Sequence, residues 1–352
     1  MDEHYLNKIL NKANELNASD IHLSTGLSPY ARVIGDMVRL KDFNPLTAQN
    51  IFDISLKIMD EYNKSIFLKN FQTDFSYYNK DNKTRYRVNV YRSNKGVSAV
   101  FRQLNTNIPK LEEINFPDIF KKIASLEKGL VLVCGPTGSG KSTTLAILVD
   151  YINRNFKKHI ITVEDPVEYI HETKKSLIDQ REVGRNVHSF ADGLRGALRE
   201  DPDIILIGEM RDRETIKMAL TAAETGHLVF STLHTMSASK TIDRIIDSVE
   251  GDEKEIIRSM LSTSLQAIIL QTLLKNKEDN GRIAGFEIVT GITAVRNMIR
   301  ENKIYQIDSI IQTNAKHGMI SMKDYIEKLL AQDLVDKEYA LSKITKSEIW
   351  SL

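Results

Sequence analysis

Leu130-Val131-Leu132-Val133-Cys134-Gly135-Pro136-Thr137-Gly138-Ser139-Gly140-Lys141-Ser142 is the stretch that decides the reading of this chain. It opens as an apolar run of strand length and continues as a match to the pattern G-x-x-x-x-G-K-[ST]. A helix-forming run, Thr143–Asn153, follows, so the context is strand, glycine-rich loop, helix. Each part has a mechanical purpose. The glycines let successive backbone N–H groups point inward and cradle phosphate oxygens, with the positive end of the helix behind them. Lys141 is placed to reach the β- and γ-phosphates, and the Ser142 hydroxyl to ligate Mg²⁺. Gly135, Pro136, Thr137, Gly138, Ser139, Gly140, Lys141, Ser142 and Thr143 are therefore the expected ATP-binding residues.

Such a loop needs an acid on the metal side and a group that activates water. In Asp203-Ile204-Ile205-Leu206-Ile207-Gly208-Glu209 an apolar strand ends in a carboxylate, at the sheet edge where sites of open parallel sheets lie. Many P-loop enzymes carry a magnesium-ligating Asp where this chain has Gly208. Glu209 is thus the candidate to position or deprotonate the attacking water, while also serving the metal shell. Another strand, His159–Val163, runs into Glu164-Asp165-Pro166-Val167-Glu168, and Glu164 is the candidate for a water-mediated Mg²⁺ contact. Asp165 and Glu168 read equally as a turn and a solvated charge. The strand Leu228–Leu233 is bracketed by His227 and His234, which suggests a γ-phosphate sensor, His234 ahead of His227. Ser142, Glu164 and Glu209 are the expected metal ligands.

Composition narrows the classes. A length of 352 residues fits two domains of ordinary size. Hydrophobic residues at 41% suffice for real cores, and 27% charged residues mark an ordinary soluble enzyme, not a fibrous or disordered chain. Basic and acidic residues balance, 48 against 47, so no overall field recruits nucleic acid or acidic lipid. The single cysteine, Cys134, excludes an internal disulfide and a four-thiolate zinc site, and its apolar setting makes it a small buried hydrophobe. The N-terminal MDEHYLNKIL is too acidic and polar for a secretory signal. No apolar stretch approaches the roughly 18 residues that span a bilayer. The expectation is a cytoplasmic protein that meets a membrane only through a partner or its surface.

Leu6, Ile9, Leu10, Ala13 and Leu16 fall at helical spacing, so the chain opens with an amphipathic helix. A short strand at Ile21–Leu23, a hairpin over Ala31–Leu40 and a helical segment from about Thr47 to Asn70 come next. A second hairpin pairs Thr84–Arg92 with Val97–Arg102. Residues 1–105 thus read as a small α+β domain. The stretch 103–117 has no clear period and carries two prolines, which places a linker at 106–117. From 118 to 352 strands first alternate with helices, implying a mainly parallel α/β sheet, and beyond about Ser239 the pattern turns mostly helical. Met319, Met322, Ile326, Leu329 and Leu330 mark a late amphipathic helix.

These blocks in this order resemble the type II/IV secretion ATPase superfamily. VEDPVE (163–168) resembles its Asp box, IILIGE (204–209) its Walker B, and TGHLVFSTLHT (225–235) its His box. Within it the chain is similar to the retraction ATPases of type IV pili, through SFADGLRGALREDPDIILIGEMRDRETI (189–216) and AVRNMIRE (294–301). ASDIHLSTG (18–26) resembles the start of their PAS-like N-terminal domain. The resemblance implies a RecA-like P-loop ATPase domain, a smaller PAS-like domain and a helical C-terminal region, with ATP bound in a homohexameric ring. It implies a motor for pilus disassembly and twitching motility, acting on an inner-membrane platform protein and through it on pilin. Arg87 and Arg102 fit places where the superfamily supplies arginines to the phosphates. Tyr86, Val88 and Val90 alternate onto one strand face and leave Arg87 on the other. Arg195, Arg199 and Arg211 are further candidates for the ring seam. Extension ATPases commonly carry a tetracysteine zinc module and a longer N-terminal region; one cysteine and a short first domain favour retraction and no zinc. A pilus-assembly or type II secretion ATPase is the alternative within the superfamily. A nucleic-acid translocase or helicase would show basic, strand-tracking surfaces, and a small-molecule kinase shares only the P-loop.

Overall fold

The computed structural model describes residues 2–104, 107–114, 116–278 and 281–342. The linker expected at 106–117 and the helical region expected through 352 lie partly outside the described residues.

In the N-terminal part, β1 (Asp20–Ser24), β2 (Tyr30–Val33), β3 (Asp36–Arg39), β4 (Gln72–Asn79), β5 (Thr84–Ser93) and β6 (Gly96–Leu104) form one sheet in the order β3-β2-β1-β6-β5-β4. Every described pairing is antiparallel. Tyr86, Val88 and Val90 on β5 are fully buried, with Ile21, Leu23 and Phe101, against the helices Glu3–Glu15 and Ala48–Ile58. Each such side chain contributes roughly 1.5–3 kcal/mol by leaving water. The single helical segment expected from Thr47 to Asn70 is in fact two, Ala48–Ile58 and Glu61–Asn70. Met59 adopts extended backbone, and the Asp60 carboxylate then accepts from the Asn63 N–H at 2.8 Å, starting a new helix. Strand β4 escaped the sequence pattern because its buried face places only Phe75 and Tyr77 between polar Thr73 and Asn79.

In the P-loop half, β7 (Gly129–Cys134), β8 (His159–Glu164), β9 (Leu177–Glu182), β10 (Ile204–Ile207), β11 (Leu228–Leu233), β12 (Leu265–Lys275) and β13 (Arg282–Thr290) form a sheet in the order β13-β12-β7-β11-β10-β8-β9. Strands β12, β7, β11, β10 and β8 are mutually parallel. Both faces are covered. Leu130, Leu132 and Cys134 of β7 join one apolar cluster, whereas Val131 and Val133 join the other. This double burial explains the unbroken apolar runs. It also explains what the sequence pattern left out: the region beyond Ser239 is mostly helical, as expected, but it also contains β12 and β13, a long antiparallel pair. LQAIILQTLLK is apolar on both faces, and periodicity cannot separate such a run from a buried helix.

The chain divides into two compact units. One comprises Met1–Asn107, Asp165–Ile170 and Glu182–His188; the other holds Ile108–Glu164, His171–Arg181 and Ser189–Leu352. Two stretches of the P-loop half therefore join the first unit. Buried Glu182 anchors them. Its carboxylate accepts from the Ser76 hydroxyl at 2.8 Å and the Val167 N–H at 3.2 Å, and it lies 3.5 Å from the Arg85 guanidinium. Arg85 also donates to the Val167 carbonyl at 2.7 Å. A buried charge is tolerable when satisfied in this way.

Candidate active site

The parallel strands of the second unit end at one edge, and the expected residues emerge there. Strand β7 ends at Cys134, buried and with its thiol pushed up by that burial, and the glycine-rich loop follows. Gly135, Gly138 and Gly140 adopt φ of +143°, +79° and +87°, in the region that favours glycine. Helix Lys141–Asn155 begins at Gly140 with no side chain capping it, so its leading N–H groups remain available to an anion. The buried Ser139 hydroxyl has no protein partner within this loop, as suits a cradle for phosphate oxygens.

Lys141 is 8% exposed, and its ammonium donates to the carbonyls of Gly135 at 2.9 Å and Pro136 at 3.0 Å. The ammonium is also 3.5 Å from His234 Nδ1, which lies 3.5 Å from the Thr137 hydroxyl. On its far side, His234 Nε2 is 3.4 Å from a Glu209 oxygen, and the other Glu209 oxygen accepts from Arg211 Nε at 2.7 Å. A line of groups thus runs Lys141, His234, Glu209, Arg211 across the mouth of the loop. Bonds between β11 and the Gly208–Met210 segment hold it: Met210 N–H donates to the Thr232 carbonyl at 3.2 Å, and the Thr232 hydroxyl to the Gly208 carbonyl at 2.6 Å. Position 208 has little room for a side chain, because a Cβ there would lie 3.3 Å from Glu164 Cα. That crowding accounts for a glycine where an aspartate was the general expectation.

Glu164 ends β8 beside this position. The Thr162 hydroxyl at 2.7 Å and the Gln180 amide at 3.2 Å both donate to its carboxylate. His227 is a different case. It precedes β11, whose first residue pairs with Gly129 at the start of β7, so it sits at the opposite edge of the sheet from His234. Its Nδ1 faces the Ala222 carbonyl at 3.0 Å. The structure does not bring His227 to the P-loop of its own chain.

Arg87 and Arg102 belong to the first unit, where they are cross-strand partners on β5 and β6 and share a face. Arg102 Nε donates to Asp20 at 2.7 Å, and Arg87 lies 3.6 Å from Asp74. Arg195 pairs with Asp192 and Glu214. Sequence reasoning missed Gln271 and Thr144, which touch the loop from β12 and from the helix. A glutamine inside an apolar run was the available signal, hidden because that run was not read as a strand.

An apolar cavity of about 460 Å³ adjoins the loop, lined by Phe116, Gly140, Thr143, Leu273 and Arg282 among others. Among the described residues no group of three His, Cys, Asp or Glu side chains is gathered for a metal, and no helix is long and apolar enough to cross a membrane.

A glycine cradle on a helix N-terminus, a lysine inside it and a carboxylate–histidine pair at its mouth, on a RecA-like parallel sheet, define a P-loop ATPase. The chain belongs to the family described as Type II/IV secretion system protein, which it matches over residues 2–319. It is 49% identical to the type IV pilus retractation ATPase PilT of Pseudomonas aeruginosa, over 93% of this chain and 94% of that protein. It is equally 49% identical to the twitching motility protein of Neisseria gonorrhoeae, over 92% of this chain and 86% of that one. The fold is similar to a crystal structure of the pilus retraction motor PilT with bound ADP, with a TM-score of 0.86 and 45% identity, covering 95% of both chains.

Proposed function

We propose that this chain is the ATP-hydrolysing motor that retracts a type IV pilus. The observation that carries the chemistry is the Glu209 carboxylate, held between His234 and Arg211 beside the lysine of the phosphate loop. The end-to-end likeness to PilT supports retraction as the work done.

In this reading the loop N–H groups and Lys141 bind the β- and γ-phosphates, which orients the terminal phosphoryl group for in-line attack. Glu209 orients a water and takes its proton, and Arg211 on its other oxygen keeps that carboxylate aimed. His234 stands between Lys141 and Glu209 and senses the γ-phosphate. The donor set fits Mg²⁺, which prefers few protein ligands together with phosphate oxygens and waters. The Ser142 hydroxyl would hold it, with Glu164 and Glu209 acting through water, and it would neutralise charge developing on the phosphates. Arg87 and Arg102 are proposed as further phosphate ligands. The working form is a homohexamer, cytoplasmic and peripheral at the inner face of the membrane, acting on a platform protein and through it on pilin.

Deleting the gene and imaging labelled pili tests the work assigned. Persistent filaments that extend but do not retract are expected; loss of all filaments would indicate an assembly motor. Arg87→Ala should lower turnover, and unchanged activity would remove that arginine from the site.

A further inference from the structure

We propose that Gln271 is a positioning residue of the nucleotide site, one that clamps the glycine-rich loop in its phosphate-receiving shape. This rests on the loop being the nucleotide site and adds a residue that no motif contains. Strand β12 runs parallel to β7, with Leu270 paired to Cys134, so the next residue stands level with the loop. Gln271 is 3% exposed. Its Nε2 donates to the Ser139 carbonyl at 2.8 Å, and its Oε1 accepts from the Thr144 hydroxyl at 2.7 Å. One amide therefore ties the residue just before Gly140-Lys141-Ser142 to the second residue after it.

The glycines show the same clamp from the other side. A Cβ at Gly135 would lie 2.4 Å from the Gln271 main-chain carbonyl, and one at Gly140 would lie 2.9 Å from its Nε2. Gln271 fills the space that side chains there would need. The positive-φ turns of the loop have no preference of their own for this one conformation, because glycine samples many. Converging N–H groups bind phosphate only when something holds them converged. Without Gln271 the buried Ser139 carbonyl and Thr144 hydroxyl, itself 1% exposed, lose their partner and draw the loop towards other ones.

The test measures binding of a fluorescent ADP analogue, steady-state ATPase and thermal melting on the full chain, for Gln271→Leu, Gln271→Glu, Thr144→Val and Thr144→Ser. Gln271→Leu should weaken ADP binding and raise KM for ATP by roughly tenfold to a hundredfold, since two buried polar groups are left unmatched. Turnover at saturation should change by less than about threefold, because the chemistry groups are untouched. Gln271→Glu, which cannot donate to the Ser139 carbonyl, should fall in the same direction. Thr144→Val should lose about tenfold in affinity, and Thr144→Ser, which retains the hydroxyl, should recover most of it. A purely structural glutamine would lower the melting temperature without moving KM. Wild-type affinity and KM in Gln271→Leu overturn the inference. If that variant does not fold, the Thr144 pair decides: equal affinity in Thr144→Val and Thr144→Ser overturns it. A wild-type protein that binds no nucleotide would overturn the site reading and this inference together.

Discussion

Replacing Glu287 by Gln should abolish a fall in stability that the wild-type protein shows as pH rises towards neutrality. Glu287 lies on β13 between Phe286 and Ile288, both fully buried. Burial pushes its carboxyl up from the ordinary 4.5 to about 7; the Met322 N–H donating at 3.4 Å offsets only part of this, and the neighbouring Asp308 pushes the same way. Between those two pH values the folded chain holds a proton that the unfolded chain has lost. Stability is thus fully present below about 4.5 and is lost as pH rises through about 7. The full difference amounts to about 3 kcal/mol. In a unit of this size that corresponds to about 6–12 °C in melting temperature. Glutamine cannot titrate, so Glu287→Gln should melt close to wild type at pH 5 and well above it at pH 9. Asp308, also pushed up by burial, adds a slope common to both proteins. Melting curves collected across that range decide the matter: parallel pH profiles would show that the Glu287 carboxyl is ionised in the folded state.

Glu209→Gln should bind ATP as tightly as wild type while turnover falls by about 10²–10⁴-fold, the usual contribution of a general base; normal turnover would remove Glu209 from the chemistry. Gly135→Ala places a Cβ 2.4 Å from the Gln271 carbonyl at a φ of +143°. Nucleotide affinity should drop by at least about tenfold as the loop shifts, on the scale of about 1–3 kcal/mol of local strain; an unchanged dissociation constant would refute the steric argument. Phe230→Ala empties a fully buried position in the middle of β11. It should cost about 3–5 kcal/mol in urea unfolding, and a loss below about 1 kcal/mol would contradict its place in the core.

The parts of the site that lie on one continuous segment were readable from the chain. Gly135 to Ser142 carries its own geometry, because glycine spacing, the lysine and the preceding apolar strand are all local facts. Glu209 and His234 were readable for a related reason: each directly follows an apolar run, and in a parallel sheet the residue after a strand is delivered to the edge where ligands bind. His227 shows the limit of that logic. It flanks the same strand as His234, and only strand direction tells that one end faces the loop and the other does not.

What the tertiary structure alone decided depends on partners distant in sequence. Gln271 meets Ser139 and Thr144 only because β12 pairs with β7, and an apolar run buried on both faces hides whether it is strand or helix. The pairing of Asp165–Ile170 and Glu182–His188 with the first unit rests on Arg85, Ser76 and Glu182, which no pattern joins. The chain by itself determined the class of protein, since a phosphate cradle is built from consecutive backbone N–H groups. The folded structure determined how that cradle is held, since a buried hydrogen bond between remote residues leaves no periodic trace in the sequence.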